Sequence, residues 1–146
     1  MVPRNIMIMP IVLCLTLSAA TALQAQERMR TGMWEDTVSG AGKTATRSHC
    51  FRPSDAAKSN GSPEAVRAET EKALTKNGAC TLKDFKLDAN ALTLTMVCGG
   101  TTIQQETKFH GGDSFETTTT TTTDGGVARV TQIKGRRTGD CKAGAE

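Results

Sequence analysis

The stretch CTLKDFKLDANALTLTMVC at positions 80–98 decides the fold. Over positions 92–98, leucine, methionine and cysteine residues occupy every second position, which is the side-chain period of a β-strand. The cluster DAN at positions 88–90 is typical of a turn, and Asn90 can take the left-handed conformation that ends a three-residue hairpin loop. The stretch therefore predicts a β-hairpin.

The register of this hairpin predicts a disulfide bond. Folding the stretch about Ala89 gives three directly opposed pairs, which are Cys80 with Cys98, Leu82 with Met96, and Asp84 with Leu94. Directly opposed residues of a non-hydrogen-bonded pair have Cβ atoms close enough for a sulfur–sulfur bond. We therefore expect Cys80 and Cys98 to be bonded to each other.

Residues 1–25 are expected to be a signal peptide. A single arginine precedes an apolar segment at positions 6–17, and small residues follow it. We expect cleavage after Ala25, with Ala22 as the alternative, which leaves residues 26–146 as one domain. The apolar segment is too short to span a bilayer comfortably, so we expect removal rather than anchoring. The predicted location is the periplasm.

Export changes the interpretation of the cysteines. Four remain after cleavage, and an even number in a short exported chain indicates disulfides. Since the hairpin pairs Cys80 with Cys98, elimination pairs Cys50 with Cys141. The alternative is a zinc site using His49 and Cys50, but the spacing matches no tight metal-binding pair.

Composition argues against a nucleic-acid partner. The formal net charge is +3, charges of both signs are mixed along the chain, and one Trp with no Tyr leaves few rings to stack on bases. We expect no nucleic-acid partner, no membrane anchor after cleavage, and a monomer. Large apolar residues are sparse, so the core is modest and the disulfides matter for stability.

One helix is predicted at positions 64–76. Ser62 is its expected N-cap, Pro63 takes the first helical position, and the dipeptide Asn-Gly at 77–78 ends it. Its apolar residues form a narrow stripe, so we expect the helix to lie on the sheet surface, between the second strand and the disulfide hairpin. Residues 53–58 predict only a short helical turn.

The remaining pattern predicts strands separated by turns. Besides the hairpin, they fall at positions 30–39, 43–51, 101–109, 114–123 and 127–137. The threonine run at 117–123 suits a strand with one solvated face, near an edge of the sheet. We therefore predict a mainly β member of the α+β class, with a curved, half-barrel-like antiparallel meander of about seven strands, one helix and two disulfides.

The candidates for catalysis lack the context that catalysis needs. His49 and His110 stand in strand or strand-end positions with no nucleophile motif nearby, and the cysteines are assigned to disulfides. Four acids could form a carboxylate pair, but nothing distinguishes them from surface acids: Glu35, Asp36, Asp84 and Glu106. We predict no catalytic residue, no metal site and no cofactor.

A possible ligand face consists of Trp34, Arg136 and Arg137. Trp34 shares a strand face with Val38, which favours a core position over a place in a pocket. Two adjacent arginines could bind an anionic headgroup or a partner. The simpler interpretation is that one arginine pairs with a carboxylate while the other covers the sheet with its alkyl stem.

Several motifs occur together in a fixed order. They are TGMWE at 31–35, CFRPSDA at 50–56, the Cys80 and Cys98 hairpin, and GRRTGDC at 135–141. This order resembles the uncharacterised family of small exported Gram-negative proteins called domain of unknown function 3617, over essentially the whole mature chain. Thr31 replaces the usual proline, and the threonine run is more extreme than is usual there. The resemblance implies an exported, β-rich domain with no established activity, cofactor or catalytic residue.

We therefore expect a non-enzymatic periplasmic binding module. It would take a small apolar or amphiphilic ligand, or an envelope partner, on the concave sheet face near Trp34. The alternative is an interaction or inhibitor-type envelope protein with rigid loops. A hydrolase is the least favoured interpretation, which a cleft holding His49 or His110 beside a carboxylate would support.

Overall fold

The computed structural model describes residues 27–76 and 80–142. The predicted signal peptide and the predicted helix end at 77–78 lie outside these residues. Seven strands form one antiparallel sheet in the order β2-β1-β7-β6-β5-β4-β3, which leaves β2 and β3 as its two edges. The strands are β1 (Gly32–Gly40), β2 (Lys43–Phe51), β3 (Cys80–Leu87), β4 (Ala91–Cys98), β5 (Thr101–His110), β6 (Ser114–Thr123) and β7 (Arg129–Gly139).

Two helices connect β2 to β3, where the sequence predicted one. The expected short helical turn is a seven-residue helix, α1 (Pro53–Ser59), and the main helix is α2 (Pro63–Lys76). Ser62 caps α2 as predicted, because its Oγ accepts a hydrogen bond from the backbone N–H of Ala65 at 3.3 Å. No helix among the described residues is long and apolar enough to cross a membrane.

The structure confirms both predicted cysteine pairings. Cys80 lies opposite Cys98 in the β3–β4 ladder, with their Cα atoms 4.1 Å apart. Cys50, near the end of β2, is bonded to Cys141, just after β7, and their Cα atoms are 5.4 Å apart. Since its sulfur is bonded, Cys50 is not a free zinc ligand.

The hairpin register is right at its open end and wrong near its middle. Leu82 lies opposite Met96 as predicted, but Asp84 lies opposite Thr95 rather than Leu94. The register shifts because Lys83 adds one residue to β3, which is a β-bulge. The bulge turns Phe85 toward the same face of the sheet as Leu82.

The hairpin loop is closed differently from the prediction. Asn90 does not have a positive φ, since Ala41 is the one such non-glycine residue in the described part of the chain. Instead, the Asp88 Oδ1 atom accepts hydrogen bonds from the backbone N–H groups of Asn90 at 2.9 Å and Ala91 at 2.7 Å. The Asp88 side chain therefore closes the loop that we expected a left-handed conformation of Asn90 to close.

The two faces of the sheet differ in character. We call the face that carries Trp34, Leu94 and Thr107 the inner face, and the opposite face the outer face. Trp34 is fully buried on the inner face, as predicted, and its indole contacts the rings of Phe51 and Phe115 with centroids 6.3 and 5.7 Å away. This indole is the largest fully buried side chain among the described residues.

The threonine-rich strand β6 is not near an edge. It is the central strand of the seven, paired with β5 on one side and β7 on the other. Thr118 and Thr122 are exposed on the outer face, whereas Thr117 is buried on the inner face. The solvated face was predicted correctly, and the edge position was wrong because strand order depends on long-range pairing.

Candidate functional site

A groove of about 550 Å³ separates α2 from the inner face of the sheet. None of the described side chains of α2 is buried, so the helix lies over the sheet without packing closely into it. The groove is lined mainly by apolar side chains from α2 and from β3 to β6. These include Val66, Ala73, Leu74, Leu87, Leu92, Phe109 and Phe115.

The helical wall of the groove follows from the spacing of its residues. Val66, Thr70, Ala73 and Leu74 stand at i, i+4, i+7 and i+8, which places them on one face of α2. This is the narrow stripe seen in the sequence. It is too small to close the gap to the sheet, and an open groove remains.

The floor of the groove comes from adjacent rows of the sheet. Leu92, Thr107 and Thr117 are directly paired across β4, β5 and β6. Phe109 pairs with Phe115 in the next inward-facing row. The Phe115 ring also covers Gly135 of β7, where a Cβ atom would overlap it. The floor is therefore apolar except for its threonines and one glutamine.

The polar atoms of the floor form a short hydrogen-bonded chain. The hydroxyl oxygens of Thr107 and Thr117 are 2.8 Å apart, and Gln105 Nε2 donates to Thr107 Oγ1 at 3.3 Å. Thr107 is 4% exposed and Thr117 is 7% exposed. The sequence did not single out these residues, because the threonine run does not mark Thr117 as inward-facing and Gln105 and Thr107 stand in no distinctive pattern.

Arg28 fixes one end of the groove. Its guanidinium donates to the backbone oxygen of Ser59 at 3.0 Å, and also to those of Gly61 and Asp88. These bonds join the connection between the helices to the β3–β4 turn. Burial lowers the pKa of Arg28 below its ordinary value. The neighbouring Met29 lines the groove.

Only two of the three predicted ligand-face residues, Trp34 and Arg137, share a face of the sheet. Trp34 does not line the groove, although it contacts Phe115, which does. Its indole Nε1 donates to the backbone oxygen of Arg30 at 2.9 Å. Trp34 lies opposite Arg137, whereas Arg136 lies opposite Glu35 on the outer face.

Both arginines are paired with carboxylates. Arg136 Nη2 lies 2.6 Å from Glu35 Oε1. Arg137 forms an ion pair with Asp140 and donates from Nε to the backbone oxygen of Thr31 at 2.7 Å. Arg137 therefore joins the beginning of the fold to its end, and neither arginine lines the groove.

A second polar cluster lies on β1 and β2. The Asp36 side chain is 3% exposed, and its Oδ2 accepts a hydrogen bond from Arg47 Nη2 at 3.2 Å. His49 Nδ1 is 3.6 Å from the same oxygen. Asp36 Oδ1 and His49 Nδ1 are buried without a hydrogen-bond partner in the described part of the chain.

The sequence grouped Asp36 with ordinary surface acids, and this was wrong. The signal was present, because Trp34, Asp36 and Val38 stand at every second position of β1 and therefore share one face of the strand. The structure does place His49 beside a carboxylate, but neither residue lines the groove. The other candidates are separate from this cluster: Glu35, Asp84, Glu106 and His110.

A family model described as a protein of unknown function (DUF3617) matches residues 29–141. The match includes all seven strands and both helices. No curated protein and no solved structure matches the chain.

Proposed function

Because this chain belongs to the DUF3617 family of proteins of unknown function, whose description assigns no activity, we propose a function from the geometry of the groove. The protein is a non-enzymatic binding module that holds a small apolar or amphiphilic ligand between α2 and the inner face of the sheet. The observation that carries this proposal is the groove of about 550 Å³ beneath a helix with no buried side chain.

The size and lining of the groove support a small-molecule ligand. Ligand sites typically have volumes of about 300–1,000 Å³, apolar walls and a few polar groups that fix the orientation of the ligand. Here aliphatic and phenylalanine side chains make the walls, and Gln105, Thr107 and Thr117 supply the polar groups. A helix with few buried contacts can also move outward at low cost to admit a ligand.

The same lining supports binding rather than catalysis. Its ionisable residues in the described part of the chain are Lys58 and Glu69, and both are exposed residues of the helices. Nucleophilic catalysis requires a nucleophile, a base and an oxyanion site close together. The groove brings together apolar surface instead.

The proposal places the protein in the periplasm after removal of the signal peptide. Two cysteine pairs at bonding distance support this placement, since disulfides persist in oxidising compartments. The signal-peptide pattern of residues 1–25 supports it independently.

An envelope protein partner is the second candidate, and edge strand β2 favours it. Residues 43–48 of this strand are exposed, and one side of β2 has no neighbouring strand in the described sheet. An unpaired strand edge can accept a strand from another protein. Crosslinking in the intact envelope through a residue of β2 would identify such a partner.

The first experiment is native mass spectrometry of the protein purified gently from its own compartment. A reproducible extra mass identifies a ligand. A matched pair of helix variants then locates it: Ala73→Phe fills the groove, whereas Ala68→Phe adds the same ring to a position of α2 outside the groove lining. We expect Ala73→Phe to weaken binding of the ligand, or of the apolar dye N-phenyl-1-naphthylamine, by roughly tenfold or more.

Thermal unfolding should show both variants folded, since Ala73 and Ala68 are exposed. Equal binding by the two variants would place the ligand elsewhere. A clean mass with no dye binding in the wild type would contradict the binding-module proposal and favour the envelope partner.

A further inference from the structure

The hydrogen bond between Thr107 and Thr117 involves only one of their two hydroxyl protons. Both side chains are buried in the groove floor, and their oxygens are 2.8 Å apart. Only one hydroxyl proton can lie between the two oxygens. The other proton needs a different acceptor.

No protein acceptor for that proton exists among the described residues. Gln105 is the third member of the chain, and its Nε2 atom donates to Thr107 Oγ1. The amide therefore adds another donor. Whichever threonine donates within the pair, the hydroxyl proton of the other has no acceptor among the described residues and is available to an acceptor in the groove, which both threonines line.

We infer that the groove binds an acyl compound, whose carbonyl oxygen accepts the remaining hydroxyl proton of the Thr107–Thr117 pair while its hydrocarbon chain lies against the apolar walls. This inference rests on the proposed function. A hydrocarbon offers no acceptor, and an alcohol or an amine brings a new donor that needs its own partner. A carbonyl oxygen accepts and adds no donor.

Free carboxylic acids and acyl esters share this carbonyl chemistry. Lys58 is the residue that distinguishes them, because it is a cationic residue of the groove lining that forms no ion pair within the described chain. The acid in the lining, Glu69, has a cation nearby, with Lys72 Nζ 3.9 Å from its Oε1 atom. A carboxylate bound in the groove would therefore have Lys58 available as its counter-ion.

The test uses the double variant Thr107→Val/Thr117→Val in the full-length protein. Valine has nearly the same shape as threonine, and replacing both residues leaves no buried hydroxyl group without its partner. The fold should therefore be retained. Thr118→Val is the matched control, since Thr118 is exposed on the outer face of the same strand. The probes are methyl octanoate and decane, which are of similar length, and binding is measured by displacement of N-phenyl-1-naphthylamine.

We expect the double variant to bind methyl octanoate roughly three- to tenfold more weakly, with decane unchanged or bound more tightly. The infrared carbonyl stretch of the bound ester, which lies above the protein amide band, should be at lower frequency in the wild type than in the double variant. Thr118→Val should behave as the wild type in both measurements.

Four results would overturn the inference. If the double variant binds both probes as the wild type does and the carbonyl stretch is unchanged, the threonine pair does not recognise the ligand. A flipped Gln105 amide, whose oxygen would accept the threonine proton, would give this result. The inference would then fail while the proposed function stands. If the ester loses no more affinity than decane, the valines changed only the shape of the groove. If the wild type binds the dye but neither probe displaces it, the inference fails while the proposed function stands, and if the wild type does not bind the dye, both proposals fail.

Octanoate and Lys58→Gln separate the two sources of the carbonyl. Tighter binding of octanoate than of its methyl ester, abolished by Lys58→Gln, assigns the groove to free acids. Binding of the ester alone, unchanged by Lys58→Gln, assigns it to acyl esters.

Discussion

The Asp36 carboxylate is buried beside Trp34, but the positive charge that compensates it is on an exposed side chain. The Arg47 side chain is 69% exposed and still lies 3.2 Å from Asp36 Oδ2. A buried carboxylate that loses its arginine counter-ion costs far more than an exposed one does. The energetic importance of an arginine therefore depends on the burial of its carboxylate partner as well as on its own exposure.

We predict that Arg47→Met lowers the free energy of unfolding by about 1–3 kcal/mol, because it leaves the Asp36 carboxylate uncompensated. The matched control is Arg67→Met, which removes an arginine of comparable exposure from Glu71, an acid whose side chain is 49% exposed. The control should cost less than about 0.5 kcal/mol. Urea unfolding measures both variants, and equal losses would show that the burial of Asp36 does not matter.

The β3–β4 hairpin shows what a local pattern can specify about an element. Alternation and turn residues within one stretch were enough to predict which cysteines meet. They were not enough to predict the bulge at Lys83, since one extra residue leaves no mark in the local composition. The bulge decides on which face of the sheet Phe85 lies, although the local sequence does not reveal that a bulge is present.

The turn of this hairpin should make stability depend on pH. Hydrogen bonds from the backbone N–H groups of Asn90 and Ala91, with smaller contributions from Lys86 and Arg28, hold the pKa of Asp88 below its usual value. A carboxyl whose pKa is lower in the folded state stabilises the fold above its unfolded pKa of about 3.9. That contribution is lost as pH falls through the lower folded pKa.

We predict that Asp88→Asn reduces the loss of stability between pH 6 and pH values below about 4. Asparagine keeps an acceptor oxygen for the turn but cannot be protonated in this range. Urea midpoints at the two pH values measure the effect. Asp124→Asn, in another turn, is the control, because its carboxylate accepts no such hydrogen bonds in the described chain, and it should keep the wild-type difference. An Asp88→Asn protein with the full wild-type loss would contradict this account.

At the scale of the molecule, β1 is held between the chain's second strand and its last. It pairs with β2 on one side and with β7 on the other. The Cys50–Cys141 bond links these two neighbours of β1 across a sequence separation of 91 residues. The Cys80–Cys98 bond spans 18 residues within one hairpin. The long bond therefore restricts the unfolded chain more.

We predict that Cys50→Ala/Cys141→Ala lowers the free energy of unfolding by about 4–5 kcal/mol and Cys80→Ala/Cys98→Ala by about 3 kcal/mol, from the entropy of loop closure. Urea unfolding of the two double variants under identical conditions gives the comparison. A larger loss from the short loop would show that native contacts around the hairpin, rather than loop length, set the order.

The sequence predicted the features that depend on neighbouring residues, but it did not predict those that depend on residues far apart in the chain. Strand positions, the Ser62 cap and the Cys80–Cys98 pair followed from short patterns, and the Cys50–Cys141 pair then followed by elimination. The pairing of β1 with β7 and the central position of β6 depend on partners far away in the chain. The groove was also beyond local signals, because the narrow stripe of α2 predicts a surface helix but not the gap beneath it.

The nested order of the two cysteine pairs has a consequence for biogenesis. In the oxidising compartment proposed above, a chain that emerges amino end first presents Cys50 and then Cys80 before their native partners appear. Joining cysteines in order of arrival would produce a Cys50–Cys80 bond that the finished protein does not contain. Efficient maturation therefore calls for a thiol–disulfide isomerase, or for a delay in oxidation until the carboxyl end arrives.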